Sequence, residues 1–410
     1  MRIACVGAGP AGLYFAVLAK LRNPQDSVVV FERQAERTGY GWGVTFTPSL
    51  LQKLYDSDLE SAQSIEKATL RWRDQFVEIH GERVVCDGGV DVYNLNRPRL
   101  VEILVARALQ LGVRIEYGSE VTSPLQLPDN DLIVAADGAG SQLRQSAGDF
   151  GTDVVQSDDK YIWLGTDRAF RAFAYHFTKT DPGWIWASSY GVESELSTFV
   201  VHCADSTWSG LGFDKMSAAE TLTSLQELYS EQLAGHRLMG QLDDETNARW
   251  KSFRTIINKR WYQGNIVLMG DSAHTTHFTV GEGTTLAIED AIALAGSLSR
   301  LGTIETALSA YQRQRQAEMR RLQQQAQLSA RFFANVPRYA DLPPEQFATL
   351  LHARRSHMVP LLPPRLYYKL HRASREAPLL RQVRPAGKAL RHWIQAGTNG
   401  HSETVTSGKK

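Results

Sequence analysis

The chain has 410 residues, with 45 Lys and Arg against 44 Asp and Glu, a formal net charge of +1. That length suffices for a large core split over two lobes, and a charge so close to zero argues against nucleic acid as a bulk electrostatic partner. No apolar run approaches a bilayer span, the chain enters a strand at once so that no cleavable signal is expected, and the widely separated Cys5, Cys86 and Cys203 read as reduced, mostly buried thiols, so a cytoplasmic protein without a membrane partner is expected.

The apolar run at 3–6 predicts a strand and residues 11–21 a helix, with GAGPAG at 7–12 between them. Glycines in a strand, tight turn and helix suit a dinucleotide: Gly7 supplies the turn, Gly9 lets the backbone approach a pyrophosphate, Gly12 lets the helix pack on the sheet, and helix N-terminal amides point at phosphate. The β-branched run 28–30 predicts a second strand, after which Glu32 is placed to accept from ribose hydroxyls. A further strand at 131–135 precedes ADGAGSQLR, with Asp137, and another at 266–269 leads into GDSAHTTHFTVGEGTT, with Asp271. Ligands of open α/β sheets sit beyond the carboxyl ends of the strands, so Glu32, Asp137 and Asp271 are expected to converge on one dinucleotide. Helix N-capping is an alternative, compatible role for the two aspartates.

Between 159 and 203 the pattern changes to alternation, with Phe173, Tyr175 and Phe177 on one face and Trp184 and Trp186 on another, which predicts an antiparallel sheet. Such aromatics form either a wall for a planar substrate or the core of a sheet packed on helices. His274 and His277 stand three apart, but no Cys, His or acid cluster supplies further ligands, so no metal is expected. His274 reads as a structural hydrogen bonder, and His277 as the candidate to orient or deprotonate a substrate hydroxyl or amine. Residues 284–299 have helical apolar spacing, and 304–333 predict a long polar helix bracing two lobes from outside. VPLLPPR at 359–365 is a proline-rich break, beyond which Arg365, Lys369, Arg372, Arg375, Arg381, Arg384, Lys388 and Arg391 meet one acid, Glu376; from 397 the tail reads as disordered.

The order and spacing of the three motifs over residues 1–330 resemble the class A flavoprotein monooxygenases. The resemblance implies an α/β fold: a Rossmann-like FAD-binding domain of glutathione reductase type (1–70, 96–158 and 255–330) with an inserted antiparallel-sheet substrate domain (71–95 and 159–254) and a C-terminal helical region (331–396). It implies FAD held by Gly7, Gly9, Pro10, Ala11, Gly12, Glu32 and Arg33 at its ADP half, and by Arg97, Val121, Asp137, Gly138, Asp271, Gly281, Glu282, Gly283 and Thr284. NADPH or NADH is the implied reductant and O2 the oxidant, with a flavin C4a-hydroperoxide passing oxygen to an electron-rich ring. Gly281 and Gly283 then let backbone amides crowd the pyrimidine edge of the flavin. Trp42, Tyr175, Trp186 and Phe278 are the implied substrate contacts.

Phe278 and Thr285 replace the Pro and Asn that the family usually carries. The variant loop, with GWGV at 41–44, KYIWLGT at 160–166, STFVV at 197–201 and FFANVPRYADLPPEQFATLL at 332–351, is similar to the flavin domains of salicylyl-CoA and anthraniloyl-CoA hydroxylases and, in its loop, to the violacein-pathway hydroxylase. An aryl thioester is therefore the expected substrate, with the basic C-terminal run either guiding coenzyme A phosphates or an acidic carrier protein, or forming a solvated face. A free indole-type ring is the alternative substrate. Two further alternatives are a flavin reductase without oxygen insertion and a non-catalytic flavoprotein.

Overall fold

A computed structural model describes residues 1–36, 41–240, 248–300 and 302–376. The tail from 397 and the basic residues Arg381, Arg384, Lys388 and Arg391 lie outside the described residues.

The glycine loop sits at the middle of a six-stranded sheet whose order is Tyr262–Gln263, Ile266–Leu268, Leu132–Ala135, Arg2–Val6, Ser27–Glu32 and Arg114–Tyr117. All neighbours run parallel except Tyr262–Gln263, and nearly every residue of Arg2–Val6 and Leu132–Ala135 is buried, as expected of strands covered on both faces. Helices Pro10–Arg22 and Gly283–Arg300 pack against each other over this sheet, and their apolar faces form the first core with the strands. The register aligns Val6 with Phe31 and with Ala135, so Glu32, Asp137 and Asp271 follow strand ends that share one edge of the sheet.

A nine-stranded sheet forms the second lobe, running Leu238–Met239, Thr152–Thr166, Leu196–Cys203, Trp184–Glu193, Phe173–Lys179, Leu70–Ile79, Glu82–Asn96 and Gly43–Phe46, with Lys251–Asn258 also on Thr152–Thr166. It is antiparallel but for one pair: Leu70–Ile79 runs parallel to Phe173–Lys179. A parallel neighbour needs a long crossover, and here the chain builds much of the first lobe between those two strands. Gly43–Phe46 and the start of Thr152–Thr166 also join this sheet, although 1–70 and 96–158 assign them to the first lobe.

Two sequence expectations need correction. Trp184 and Trp186 share a face with Phe177 rather than opposing it, because the antiparallel register sets Trp186 directly against Phe177. The helix Ile304–Ala334 is also more than an external brace: Tyr311 and Arg315 are buried at the first lobe, whereas Phe332 and Phe333 enter the aromatic core of the second. The segment 359–365 breaks as the prolines require, but it includes a short helix, Met358–Leu361, before Pro364–Glu376 begins. No helix among the described residues is long and apolar enough to cross a membrane.

Candidate flavin and substrate site

The glycine turn is built by close approach. Gly7 has φ +107°, and a Cβ there would lie 2.4 Å from Ala136 O, while a Cβ on Gly12 would lie 2.2 Å from Gly7 O. Gly9, Gly138, Gly140 and Gly283 instead border open space, with nothing within 4 Å of a built Cβ. Pro10 and Ala11 start the helix after this turn, so its free N-terminal amides face the region above the sheet. Glu32 fixes the loop from the next strand: its carboxylate accepts from the Ala8 amide at 2.8 Å and from Gln34 at 2.9 Å, with Arg33 exposed beside it.

Asp137 accepts from the Gln142 and Leu143 amides at 2.8 and 3.3 Å, so it does cap a helix. Its other oxygen, Oδ1, is buried without a hydrogen-bond partner among the described residues, and burial raises its carboxyl above the usual range. Asp271 is reached by water but surrounded by protein; that desolvation raises its carboxyl too, against the charges of His274 and Arg97. Thr285 Oγ1 is another buried orphan, beside the half-buried Thr284, and Val121 lies in the core. Orphaned acceptors and glycine-lined space at the ends of adjacent parallel strands fit a dinucleotide such as FAD.

What holds the Asp271 turn is less visible in sequence. Asp290, fully buried on helix Gly283–Arg300, accepts from the Gly270 amide at 2.9 Å, lies 2.8 Å from His274 Nε2, and accepts from Arg315 Nε at 2.7 Å. Burial opposes its ionisation, but the charges of His274 and Arg315 outweigh that and hold the carboxyl below its ordinary range. Buried Arg144, the last residue of ADGAGSQLR, donates to Ser272 O and Ala139 O, each at 2.8 Å, tying the second motif to the third. His274 is thus a structural hydrogen bonder.

Beside the loop 274–285 stands one cross-strand row of the second sheet. The registers place Phe177, Trp186, His202 and Tyr161 directly opposite one another in succession, so they share a face. Phe278 packs 4.6 Å from the Tyr161 ring and 5.1 Å from His202, and His277 sits 4.6 Å from Phe278, 5.0 Å from Phe253 and 6.0 Å from His202. Trp186 joins this face through His202 at 4.5 Å but is otherwise stacked on Phe177 and Phe333. Tyr175 is buried against Phe333, with its hydroxyl 3.2 Å from Arg354. Trp42 is 1 % exposed, donates its indole N–H to Gly240 O and fills the space next to Gly165, a packing environment. Sequence reading singled out neither His202 nor Phe253; each is a lone residue until strand pairing sets it beside the loop.

His277 is held in one tautomer. The Thr279 amide reaches its Nδ1 at 3.5 Å, and Arg354 donates to Ser329 Oγ, Ser329 to Thr279 Oγ1, leaving the Thr279 hydroxyl to donate to Nδ1 at 3.0 Å. Nδ1 is therefore an acceptor and Nε2 carries the proton in the neutral ring. Burial, with His202 nearby, pushes its pKa down to about 3, so the ring is neutral throughout the physiological range. Arg354 and Arg355 also donate to Thr279 O and Val280 O, latching the loop 274–285 from the turn after helix Pro344–His352; Arg355 lies 3.8 Å from Glu282. Gly281, φ +69°, turns the loop next to Thr45. Among the described residues no three His, Cys, Asp or Glu side chains are grouped to hold a metal.

Residues 1–326 match the FAD binding domain family. The chain is 36% identical over 360 residues to a salicyloyl-CoA 5-hydroxylase of Streptomyces sp, a match covering 85% of this chain and 68% of that protein. It is 33% identical to the 3-hydroxy-4-methyl-anthranilyl-(aryl-carrier protein) 5-monooxygenase of Streptosporangium sibiricum, over 86% of this chain and 94% of the relative. Protodeoxyviolaceinate monooxygenase of Chromobacterium violaceum is 27% identical, over 91% and 100% of the two chains. Among solved structures, tetrameric 2-methyl-3-hydroxypyridine-5-carboxylic acid oxygenase shares the fold, with a TM-score of 0.69, 22% identity and coverage of 87% and 98%.

Proposed function

We propose, for a chain that belongs to the FAD binding domain family and is a flavin-dependent aromatic monooxygenase, that NAD(P)H is its reductant, O2 its oxidant and an aryl thioester its substrate. The observation that carries the thioester is the pair of relatives above 30% identity: one acts on salicyloyl-CoA and the other on an anthranilyl group attached to an aryl-carrier protein. The match to protodeoxyviolaceinate monooxygenase supports a free indole-type ring as the second reading.

FAD, when bound, supplies the electron relay and the oxygen activation. In this reading Gly7, Gly9, Pro10, Ala11, Gly12, Glu32 and Arg33 hold its ADP half. Arg97, Val121, Asp137, Gly138 and Asp271 hold its middle, and Gly281, Glu282, Gly283 and Thr284 its ring. The aromatic row excludes water from the reacting ring and orients it for attack. Phe278 contributes as a wall with Trp186 behind His202, Tyr175 and Trp42 contribute by packing support, and His277 orients the substrate through its Nε2–H.

Turnover under 18O2 with NADPH or NADH tests this. Salicyloyl-CoA or anthraniloyl-CoA should give a product heavier by one oxygen derived from O2. Incorporation into an indole-type ring but neither thioester would favour the second reading, and anaerobic turnover without oxygenated product would contradict both.

A further inference from the structure

The face above the loop 274–285 contains two histidines with ring nitrogens that no full hydrogen bond from the described residues satisfies. His202 is 2 % exposed and His277 5 %, and three of their ring nitrogens, His202 Nδ1 and Nε2 and His277 Nε2, are buried without a hydrogen-bond partner. A buried polar atom without a partner is costly, so such orphans are tolerated where a ligand supplies the missing partners.

Their polarity is determined by their neighbours. His277 presents an N–H at Nε2, because Thr279 occupies Nδ1 from the donor side. The Nε2 of His202 lies 3.4 Å from Asp159 Oδ2, too poorly aligned to count as a full hydrogen bond but close enough to favour the tautomer with its proton there. His202 Nδ1 is then a bare acceptor. Burial pushes His202 below the ordinary imidazole range, with Asp159 opposing, so it too is neutral before substrate arrives. The ring centroids are 6.0 Å apart, so the two imidazoles are near neighbours at one face of the sheet. Around the two imidazoles stand Tyr161, Phe278, Trp186 and Phe253, apolar faces suited to an aromatic ring.

We propose that His202 and His277 form a matched acceptor and donor for the hydroxyl or amino group on the substrate ring, with His202 the proton acceptor and Asp159 the residue that orients it. The inference rests on the aromatic-substrate reading above and deepens it: the substrate carries a group that both donates and accepts, a phenol or an aniline. A phenol O–H donates to His202 Nδ1 and its oxygen accepts from His277 Nε2–H. When the O–H bond breaks, the proton forms the N–H bond at Nδ1. The electron pair stays on oxygen, where it enriches the ring towards electrophilic oxygen. The resulting imidazolium faces the Asp159 carboxylate. His277, fixed as a donor, steadies the phenolate and is not the base.

The test titrates FAD-loaded protein with four ligands, salicyloyl-CoA, benzoyl-CoA, salicylate and benzoate, following the flavin spectrum and the ultraviolet band of bound phenolate. The wild type should favour the hydroxylated ring of each pair. His202→Phe and His277→Phe should each cut that preference by about tenfold, while changing affinity for the donor-free ring by less than about threefold. Asp159→Asn should keep the preference but reduce the phenolate band. His202→Gln, which retains an acceptor, should restore much of the preference without the phenolate. Preference for salicylate over benzoate that depends on His202, with no thioester bound, would remove the thioester and leave the histidine pair standing. Absence of discrimination in the wild type, or equal loss for both rings in His202→Phe with FAD content and Tm unchanged, would overturn the proposal.

Discussion

Asp290 shows how a single buried residue organises a binding turn. Its oxygens accept from the Gly270 amide and Arg315 and face His274, so one carboxylate fixes the backbone just before Asp271 and braces the helix behind it. Breaking such a buried network by removing one charge costs about 3–5 kcal/mol, and Asp290→Asn should lower the denaturant midpoint accordingly. Because the native carboxyl titrates below its unfolded value, this stabilisation is complete above that value and is lost as pH falls through the native one. The gap between wild type and variant should hold constant down to about pH 5 and close below about pH 4; a gap unchanged at low pH would contradict the ionised network. None of this was legible in the sequence, where Asp290 is one acid in a helix with apolar spacing and Arg315 one cation among many in a polar one. Glu32, Asp137 and Asp271 stood out because each follows a strand end, a local signal.

At the scale of elements, the glycine turn and the C-terminal latch make separable predictions. A methyl group at Gly12 meets Gly7 O at 2.2 Å, backbone against backbone, so Gly12→Ala must move the helix away from the turn. The ratio of FAD to protein after gel filtration should fall by about tenfold or more, as expected when a helix N-terminus no longer points at phosphate; retention of full FAD would contradict the placement. Arg354 links Ser329, Thr279 O and Tyr175 OH. Arg354→Leu should cost about 1–3 kcal/mol of stability and free the loop that carries His277 and Phe278. Peroxide released per NAD(P)H consumed should rise, and unchanged coupling would return Arg354 to a purely structural role. Strands and long helices were readable from periodicity, whereas the face shared by Trp184, Trp186 and Phe177 was not, since it depends on which strands pair and in what register.

For the whole molecule, two lobes meet across the loop 274–285, and the long helix Ile304–Ala334 enters both cores. The first lobe was legible because its three motifs each follow a buried strand, and the parallel sheet needs only their order. The second was legible as a sheet but not as a site: Tyr175 and Trp186 are largely consumed in packing against Phe332, Phe333 and Phe347, while His202 and Phe253 flank His277. Helices beyond residue 334 cover an aromatic face that the sequence presented as a candidate substrate wall. In the proposed reading this architecture couples recognition of an aromatic thioester to flavin chemistry. Stopped-flow reduction of the FAD-loaded protein by NADPH and by NADH, with salicyloyl-CoA, anthraniloyl-CoA, the matching free acids or no ligand, tests it most directly. Strong acceleration by a thioester but not by its acid is the predicted result, and a reduction rate that no aromatic ligand changes would contradict it.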